Sequence, residues 1–259
     1  MTERERIEQA PLGEWLAESL RATAFPSGEA ELKPDGWWRS VLGEEPESQM
    51  SRRTGERLEE GTFRGASLVL SVSLARIDWI LRPKLSKDEP SKGFPAIGGF
   101  AETCAHFREL MHRWFPLTPP LERLAFGAVV ALPVANKAEG YARLAGYLPA
   151  VQLDAAEDSS DFLYRINRPR PSRSNIPNLR INRLSTWSVS EIQVQQVALS
   201  SPLQRPKFIQ GEPAFACRVE LDVNTAPKSE GQVSNQVWAE LFDELLDLAG
   251  EILQGGDRP

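Results

Sequence analysis

Four segments in the second half of the chain alternate apolar and polar residues with the two-residue period of a β-strand. Successive side chains of a strand point to opposite faces, so this alternation is typical of strands with one buried face. The segments are Phe162–Ile166, Leu179–Arg183, Ile192–Gln196 and Phe215–Val223, and their expected connectors include Asp154–Asp161 and Pro202–Glu212. Because strand follows strand through short connectors, we expect mostly antiparallel pairing.

Two other segments have the periodicity of a helix. Along Phe100–Phe115 the apolar residues recur at spacings of four and three, which places one stripe toward a core. The last segment, Ser234–Gln254, carries a broader apolar stripe, typical of a helix that lies across a sheet, and Gly255-Gly256 ends it. Its acidic residues lie opposite this stripe, where we expect them to face solvent.

The remaining patterns complete the fold class. Leu68–Leu74 and Ile77–Leu81 indicate paired strands, Leu124–Leu132 a buried strand and Lys137–Leu148 a short helix. The order of elements predicts an α+β fold: a mostly antiparallel sheet with helices on one face and a long C-terminal helix packed on the sheet. Two versions stay open, a sheet that grips the last helix and two pseudo-repeated halves of sheet plus helix.

Residues 1–60 are predicted to be an irregular acidic N-terminal arm, and residues 61–259 a single α+β domain. The arm has fourteen acidic against eight basic residues, and its Pro and Gly residues interrupt long elements. Within it, Ile7–Leu20 has the spacing of a short amphipathic helix, and Gly43–Glu60 the composition of a disordered segment. The arm either wraps the protein surface or makes an interaction through Trp37-Trp38, which would dock on a partner or on the protein's own core.

The composition predicts a soluble, cytoplasmic protein. The chain has 259 residues and a formal charge of −6, and its hydrophobic fraction of 41% is ordinary for a globular domain. Its charged start lacks the apolar core of a signal peptide, and the longest apolar run, Leu124–Ala135, is too short to cross a bilayer. Cys104 and Cys217 lie far apart without metal-ligand spacing, and we expect both to be reduced thiols.

No pattern in the sequence predicts catalysis, a metal or a cofactor. His106 and His112, the two histidines, are six residues apart, and Cys104 is two residues from His106, so they do not share the helix face that a metal site needs. Neither histidine lies beside a nucleophile, and no glycine-rich nucleotide-binding loop occurs. Glu220 and Asp222 share one strand face and would suit Mg²⁺, but we interpret them as an exposed face balanced by Arg218.

A near-duplicated pentapeptide, Arg165–Pro169 and Arg180–Leu184, marks the candidate binding site. The segment Arg165–Arg183, here called the arginine island, contains six arginines and no acidic residue. If its two halves pair as antiparallel strands, several guanidinium groups converge on carboxylates or phosphates, which arginine binds bidentately. The predicted anion- or partner-binding residues are Arg165, Asn167, Arg168, Arg170, Arg173, Arg180, Asn182 and Arg183. Three readings stay open: arginines paired with the protein's own acids, an acidic protein partner, and nucleic acid.

Four strings in the chain carry a family resemblance: Arg76–Trp79, Asp161–Pro169, Ile181–Trp187 and Leu221–Asn224. They resemble the motif blocks of a sporadically distributed, functionally uncharacterised bacterial protein family, over most of the chain after the N-terminal arm. The resemblance implies no catalytic residue. It implies a bacterial accessory gene of patchy occurrence, a distribution typical of mobile-element, toxin–antitoxin or antiphage-defence systems. The step to defence is analogy.

Taken together, these patterns predict a non-catalytic protein-binding or structural subunit of a bacterial multi-protein assembly, as in a defence system. The alternative is a component that binds or cleaves nucleic acid through the arginine island. We expect an acidic protein surface as the partner, no cofactor and no contact with a membrane, since the overall acidity opposes non-specific binding to a polyanion.

Overall fold

The computed structural model of the chain describes residues 10–28, 32, 34–53, 55–84, 93–153, 161–174, 176–198, 207–226 and 234–258, with the backbone alone at 194–198 and 207–211. These residues form an eleven-stranded sheet and four α-helices. The first-half elements are β1 (Leu16–Pro26), α1 (Trp37–Leu42), β2 (Ser48–Ser51), β3 (Arg57–Phe63), β4 (Ala66–Ser73), β5 (Arg76–Arg82), β6 (Gly98–Gly99) and α2 (Phe100–Trp114). The second-half elements are β7 (Leu121–Val134), α3 (Lys137–Tyr147), β8 (Leu163–Asn167), β9 (Arg170–Pro171), β10 (Arg180–Ala198), β11 (Lys207–Thr225) and α4 (Asn235–Gly255).

The two halves of the chain build the sheet in the same order of elements. Its strand order is β2-β3-β4-β5-β1-β7-β11-β10-β8, with β6 beside β1 and β9 beside β10, and all pairings are antiparallel. In each half the chain starts with a central strand, makes a helix, returns at the outside of the sheet, works back to the centre and ends in a longer helix. The α+β prediction is confirmed, in its version with two pseudo-repeated halves, which meet where β1 pairs with β7.

All four α-helices lie on one side of the sheet, here called the helix side, which carries Leu20, Phe126 and Val223. On α4, Phe242 contacts the Phe126 ring of β7, and Phe107 of α2 contacts the same Phe242. Gly140 of α3 lies against Val189 of β10. The buried residues Leu241, Leu245 and Leu248 confirm that α4 packs on the sheet.

Tryptophans fill much of this core. All seven tryptophans of the sequence are buried. Trp38 of α1 stacks on Trp79 of β5 with ring centres 5.9 Å apart, and Trp114 of α2 contacts both Trp79 and Trp37. Aromatic pairs of this kind add roughly 0.5–1.5 kcal/mol beyond their buried area. Of the two docking sites considered for Trp37-Trp38, the structure shows the protein's own core.

The predicted irregular arm is wrong for most of the described residues among the first 60. Instead of a helix over Ile7–Leu20, the described part has a short 3-10 turn at Leu12–Glu14 and then β1, a central strand of the sheet. A register shift between Ala17 and Ser19 breaks the strand alternation at the start of β1. The segment predicted to be disordered contains β2 and the start of β3, so the proposed boundary at residue 60 falls inside a strand.

The other predicted elements are found with altered bounds in two places. The segments Leu179–Arg183 and Ile192–Gln196 are one strand, β10, whose alternation is interrupted by a register shift between Gln193 and Gln195. The predicted connector Pro202–Glu212 is partly wrong, because β11 starts at Lys207. The connector Asp154–Asp161 lies outside the described residues except for Asp161. No helix among the described residues is long and apolar enough to span a membrane.

Candidate functional site

The two copies of the pentapeptide lie on neighbouring antiparallel strands, so the condition set out for the arginine island is met. On β8, Arg165 is opposite Thr186 of β10, and Asn167 is opposite Leu184. The short strand β9 continues the pairing at the other end, with Arg170 opposite Ile181. Because neighbouring side chains on a strand point to opposite faces, the arginine island divides between the two sides of the sheet.

Four of the eight predicted site residues, Arg168, Arg170, Arg173 and Arg183, lie on the helix side, near the C-terminal end of α4. The carboxylate of Asp257, just beyond α4, accepts hydrogen bonds from Arg168 Nε at 2.7 Å and Arg168 Nη2 at 3.0 Å. The Tyr164 hydroxyl donates to the same carboxylate at 2.5 Å. The hydrogen bonds from Arg168 hold the pKa of Asp257 below its ordinary value, despite the opposing effect of burial.

The other contacts of this group reach α4 itself. Arg170 and Arg173 each donate to Glu251, at 2.7 and 2.8 Å. Glu244, expected from the sequence to face solvent, is buried and accepts from the Ser172 hydroxyl at 2.7 Å and the Arg173 backbone N–H at 2.8 Å. The acidic face of α4 therefore neutralises part of the arginine island, in agreement with the reading that its arginines pair with the protein's own acids.

Arg183 differs from Arg168, Arg170 and Arg173 in its burial and its hydrogen bonding. It is 7% exposed, and its Nε is buried without a hydrogen-bond partner among the described residues. Burial lowers the pKa of Arg183, and the nearby Arg170 cation lowers it further, whereas Glu251 and Asp257 oppose that change. This arginine is close to two carboxylates but hydrogen-bonded to neither of them.

The other four predicted residues, Arg165, Asn167, Arg180 and Asn182, lie on the opposite side of the sheet. We call this side, which also carries Arg21, Gly127 and Asp222, the open face. Side-chain amides form a chain across it. Asn167 Nδ2 donates to Asn182 Oδ1 at 3.1 Å, and Asn182 Nδ2 donates to Asn224 Oδ1 at 3.1 Å. Arg123 of β7 donates to the same Asn224 oxygen at 2.7 Å.

Most acids of the open face are already paired with arginines. Arg82 contacts Glu60 at 2.8 Å, and Arg76 contacts Asp78 at 2.6 Å. The third arginine, Arg218, contacts Glu18 at 3.1 Å and Glu220 at 2.5 Å. The last of these contacts confirms the interpretation of Glu220 as an acid balanced by Arg218.

Four arginines of the open face have no carboxylate partner among the described residues: Arg21, Arg123, Arg165 and Arg180. Asp222 is the corresponding acid without an arginine, and it accepts from the Asn224 amide at 3.0 Å. Sequence reasoning missed Arg21 and Arg123, which lie far from the arginine island. Arg123, Ala125 and Gly127 alternate with the large apolar residues Leu124 and Phe126. This alternation is a signal that could place Arg123 on the open face.

The candidate chemical groups of the sequence do not assemble into a reactive site in the described residues. No cluster of three or more His, Cys, Asp and Glu side chains could hold a metal there. His112 Nε2 lies 2.8 Å from Asp243 Oδ1 on the surface. Both cysteines are free thiols, and burial raises the pKa of Cys217 to about 12, which disfavours a reactive thiolate.

No family model matches the chain, and no curated protein or solved structure matches it. The resemblance read from its motif strings therefore stays a prediction.

Proposed function

We propose that the chain is a non-catalytic binding subunit of a bacterial assembly, and that its open face holds an acidic surface of a partner protein. The observation that carries the proposal is the surplus of unpaired cations on this face. Arg21, Arg123, Arg165 and Arg180 have no carboxylate partner in the described structure, against one such acid, Asp222. A solvated face is ordinary for an antiparallel sheet, but this charge imbalance in a chain of net charge −6 is not.

The shape of the open face supports a macromolecular partner. Its centre, on β7, carries Ala125, Gly127 and Val129, which are partly exposed and have short side chains. A partner's backbone can approach such a surface closely, with arginines on either side to pair with its carboxylates. Arginine suits this role because its planar fork binds a carboxylate through two parallel hydrogen bonds.

The same face offers little to single-stranded nucleic acid. Proteins that bind single strands stack the bases on exposed aromatic rings. On the described part of the open face the aromatic residue is Phe25, and the Arg123 guanidinium already lies 5.1 Å from the centre of its ring. An acidic protein surface is therefore the better fit.

The test compares two triple variants with equal charge change. The first is Arg21→Glu, Arg165→Glu and Arg180→Glu, at three exposed open-face positions. Its matched control is Arg39→Glu, Arg53→Glu and Arg113→Glu, at exposed positions elsewhere on the molecule. Each tagged protein is purified from the native host, and co-purifying proteins are identified by mass spectrometry.

We expect an acidic protein to co-purify with the wild type and the control variant, and to be lost from the open-face variant. If both variants retain the acidic protein, its binding surface lies elsewhere on the chain. Oligonucleotide binding is measured in parallel as a function of salt. Tight binding of the wild type to single strands, with a log–log slope near −0.7 per neutralised phosphate and loss in the open-face variant, would replace the protein partner by nucleic acid.

A further inference from the structure

Four arginines meet at the C-terminal end of α4, on the helix side of the sheet, away from the open face. They are Arg168, Arg170, Arg173 and Arg183. The carboxylates beside them are Glu244, Glu251 and Asp257, so cations outnumber anions by four to three. We call these seven residues the α4-end cluster.

Every carboxylate of the α4-end cluster is already engaged. Asp257 accepts through both oxygens from Arg168 and through Oδ2 from Tyr164. Glu251 accepts from Arg170 through Oε2 and from Arg173 through Oε1. The Glu244 oxygens accept from Ser172 and from the Arg173 backbone.

Arg183, the most deeply buried arginine of the cluster, donates no side-chain hydrogen bond to any of the described residues. It is 7% exposed, with Nε buried and unpartnered among the described residues. Burying a guanidinium without a hydrogen-bond acceptor is costly, and a charged acceptor removes that cost. The residue directly opposite Arg183 on β11 is Val223, which has no acceptor. Its neighbours on the helix side of β10 are Ile181, which has none, and Ser185, whose hydroxyl already accepts from Trp187 Nε1 at 2.9 Å.

We propose that the α4-end cluster binds a phosphate-type oxyanion, with Arg183 as its principal ligand and Arg168 and Arg170 beside it. A tetrahedral oxyanion presents several acceptor oxygens, so it can receive a bidentate contact from one arginine and single contacts from others. The surrounding burial strengthens each of these hydrogen bonds relative to water. The bound anion offsets the excess positive charge of the cluster and gives the Arg183 guanidinium an acceptor.

The probe is inorganic phosphate, titrated into the full chain by calorimetry at pH 7.5 with the ionic strength held constant by sodium chloride. The test variant is Arg183→Met, which keeps the apolar stem and removes the guanidinium. Its matched control is Arg180→Met, three residues away on the same strand but on the open face. A second series replaces phosphate by a phosphate monoester, phosphoserine, to distinguish free phosphate from the phosphate group of a larger ligand.

We expect saturable binding of phosphate to the wild type and to Arg180→Met, and affinity lower by about tenfold or more in Arg183→Met, the loss that one charge-assisted donor supplies. Phosphate should also raise the melting temperature of the wild type more than that of Arg183→Met. Should Arg183→Met fail to fold, Arg170→Met takes its place and is expected to weaken binding as well. No saturable heat with either probe, or equal affinity in Arg183→Met and the wild type, would overturn the proposal, whatever the outcome at the open face.

Discussion

Arg168 and Asp257 are 89 residues apart in sequence and joined by two parallel hydrogen bonds. Asp257 follows the last helix, and its side chain is completely buried, whereas Arg168 lies at the end of β8 with its side chain 35% exposed. This pair fastens the C-terminal end of α4 to the strands of the arginine island. One conspicuous part of the basic sequence therefore has a structural role inside the molecule.

Replacement of Asp257 by Asn should destabilise the protein by about 3 kcal/mol. Loss of one partner from a buried ion pair costs about 3–5 kcal/mol, and the partial exposure of Arg168 places the cost at the lower end. Urea denaturation measures the difference. Arg165→Gln on the open face is the control and should change the free energy of unfolding by no more than about 0.5 kcal/mol. Equal stability of Asp257→Asn and wild type would show that the pair contributes nothing.

The carboxylate of Asp257 should make the stability of the protein depend on pH. Its pKa is lowered in the folded state, chiefly by the hydrogen bonds from Arg168, so the charged form is favoured by folding. The resulting stability is present above the unfolded pKa of about 3.9 and is lost as the pH falls through the lower folded pKa. The stability difference between wild type and Asp257→Asn should therefore be constant above about pH 5 and shrink below about pH 4. A difference that stays constant to the acid limit of folding would contradict this assignment.

Gly256 is required where α4 ends. Its φ of +69° lies in the left-handed region, and an added Cβ would lie 2.1 Å from the Tyr147 carbonyl oxygen. Gly256→Ala should cost at least about 2 kcal/mol, from backbone strain and from displacement of Asp257, whose N–H donates to that same carbonyl at 2.9 Å. The adjacent Gly255 is the control, since nothing lies within 4 Å of its added Cβ. Thermal unfolding should show a clear loss for Gly256→Ala and little change for Gly255→Ala.

The sequence predicts the helix-side core better than the sites. The apolar spacing of Phe100–Trp114 and the broad stripe on α4 both place the correct faces inward, because a helix that lies on a sheet needs such faces. The sequence does not show β1 as a strand, because a register shift at Ala17–Ser19 disturbs its alternation. For the arginine island, alternation alone separates Arg165 from Arg168. It does not reveal Asp257 as a partner, since that contact depends on where the last helix ends against the sheet.

Leu241 tests the contribution of α4 to the core. Its side chain is fully buried, and Leu241→Ala should destabilise the protein by about 2–5 kcal/mol through lost burial and a residual cavity. Glu240→Ala, one residue earlier at an exposed position, is the matched helix control and should have little effect.

Removal of the chain after Glu230 should leave an insoluble or molten product. A truncated protein with an unchanged melting temperature would show that α4 is dispensable for folding.

Gly127 gives a steric test of the open face that does not alter its charge. It lies in the middle of the face, and the nearest atoms to an added Cβ are the flexible end of Arg21 at 3.5 Å and the Leu221 carbonyl oxygen at 3.7 Å. Its backbone needs no positive φ, so Gly127→Tyr should fold with a melting temperature near that of the wild type, since aromatic residues favour strands. The ring should displace the Arg21 guanidinium and stand where the partner is proposed to dock.

We therefore expect Gly127→Tyr to lose the co-purifying acidic protein. Phosphate binding at the α4-end cluster should be unchanged, because the two surfaces lie on opposite sides of the sheet. Gly13→Tyr serves as the control away from the open face, at a glycine whose added Cβ meets no atom within 4 Å. If Gly127→Tyr retains the partner as well as Gly13→Tyr does, the centre of the open face is not the docking surface.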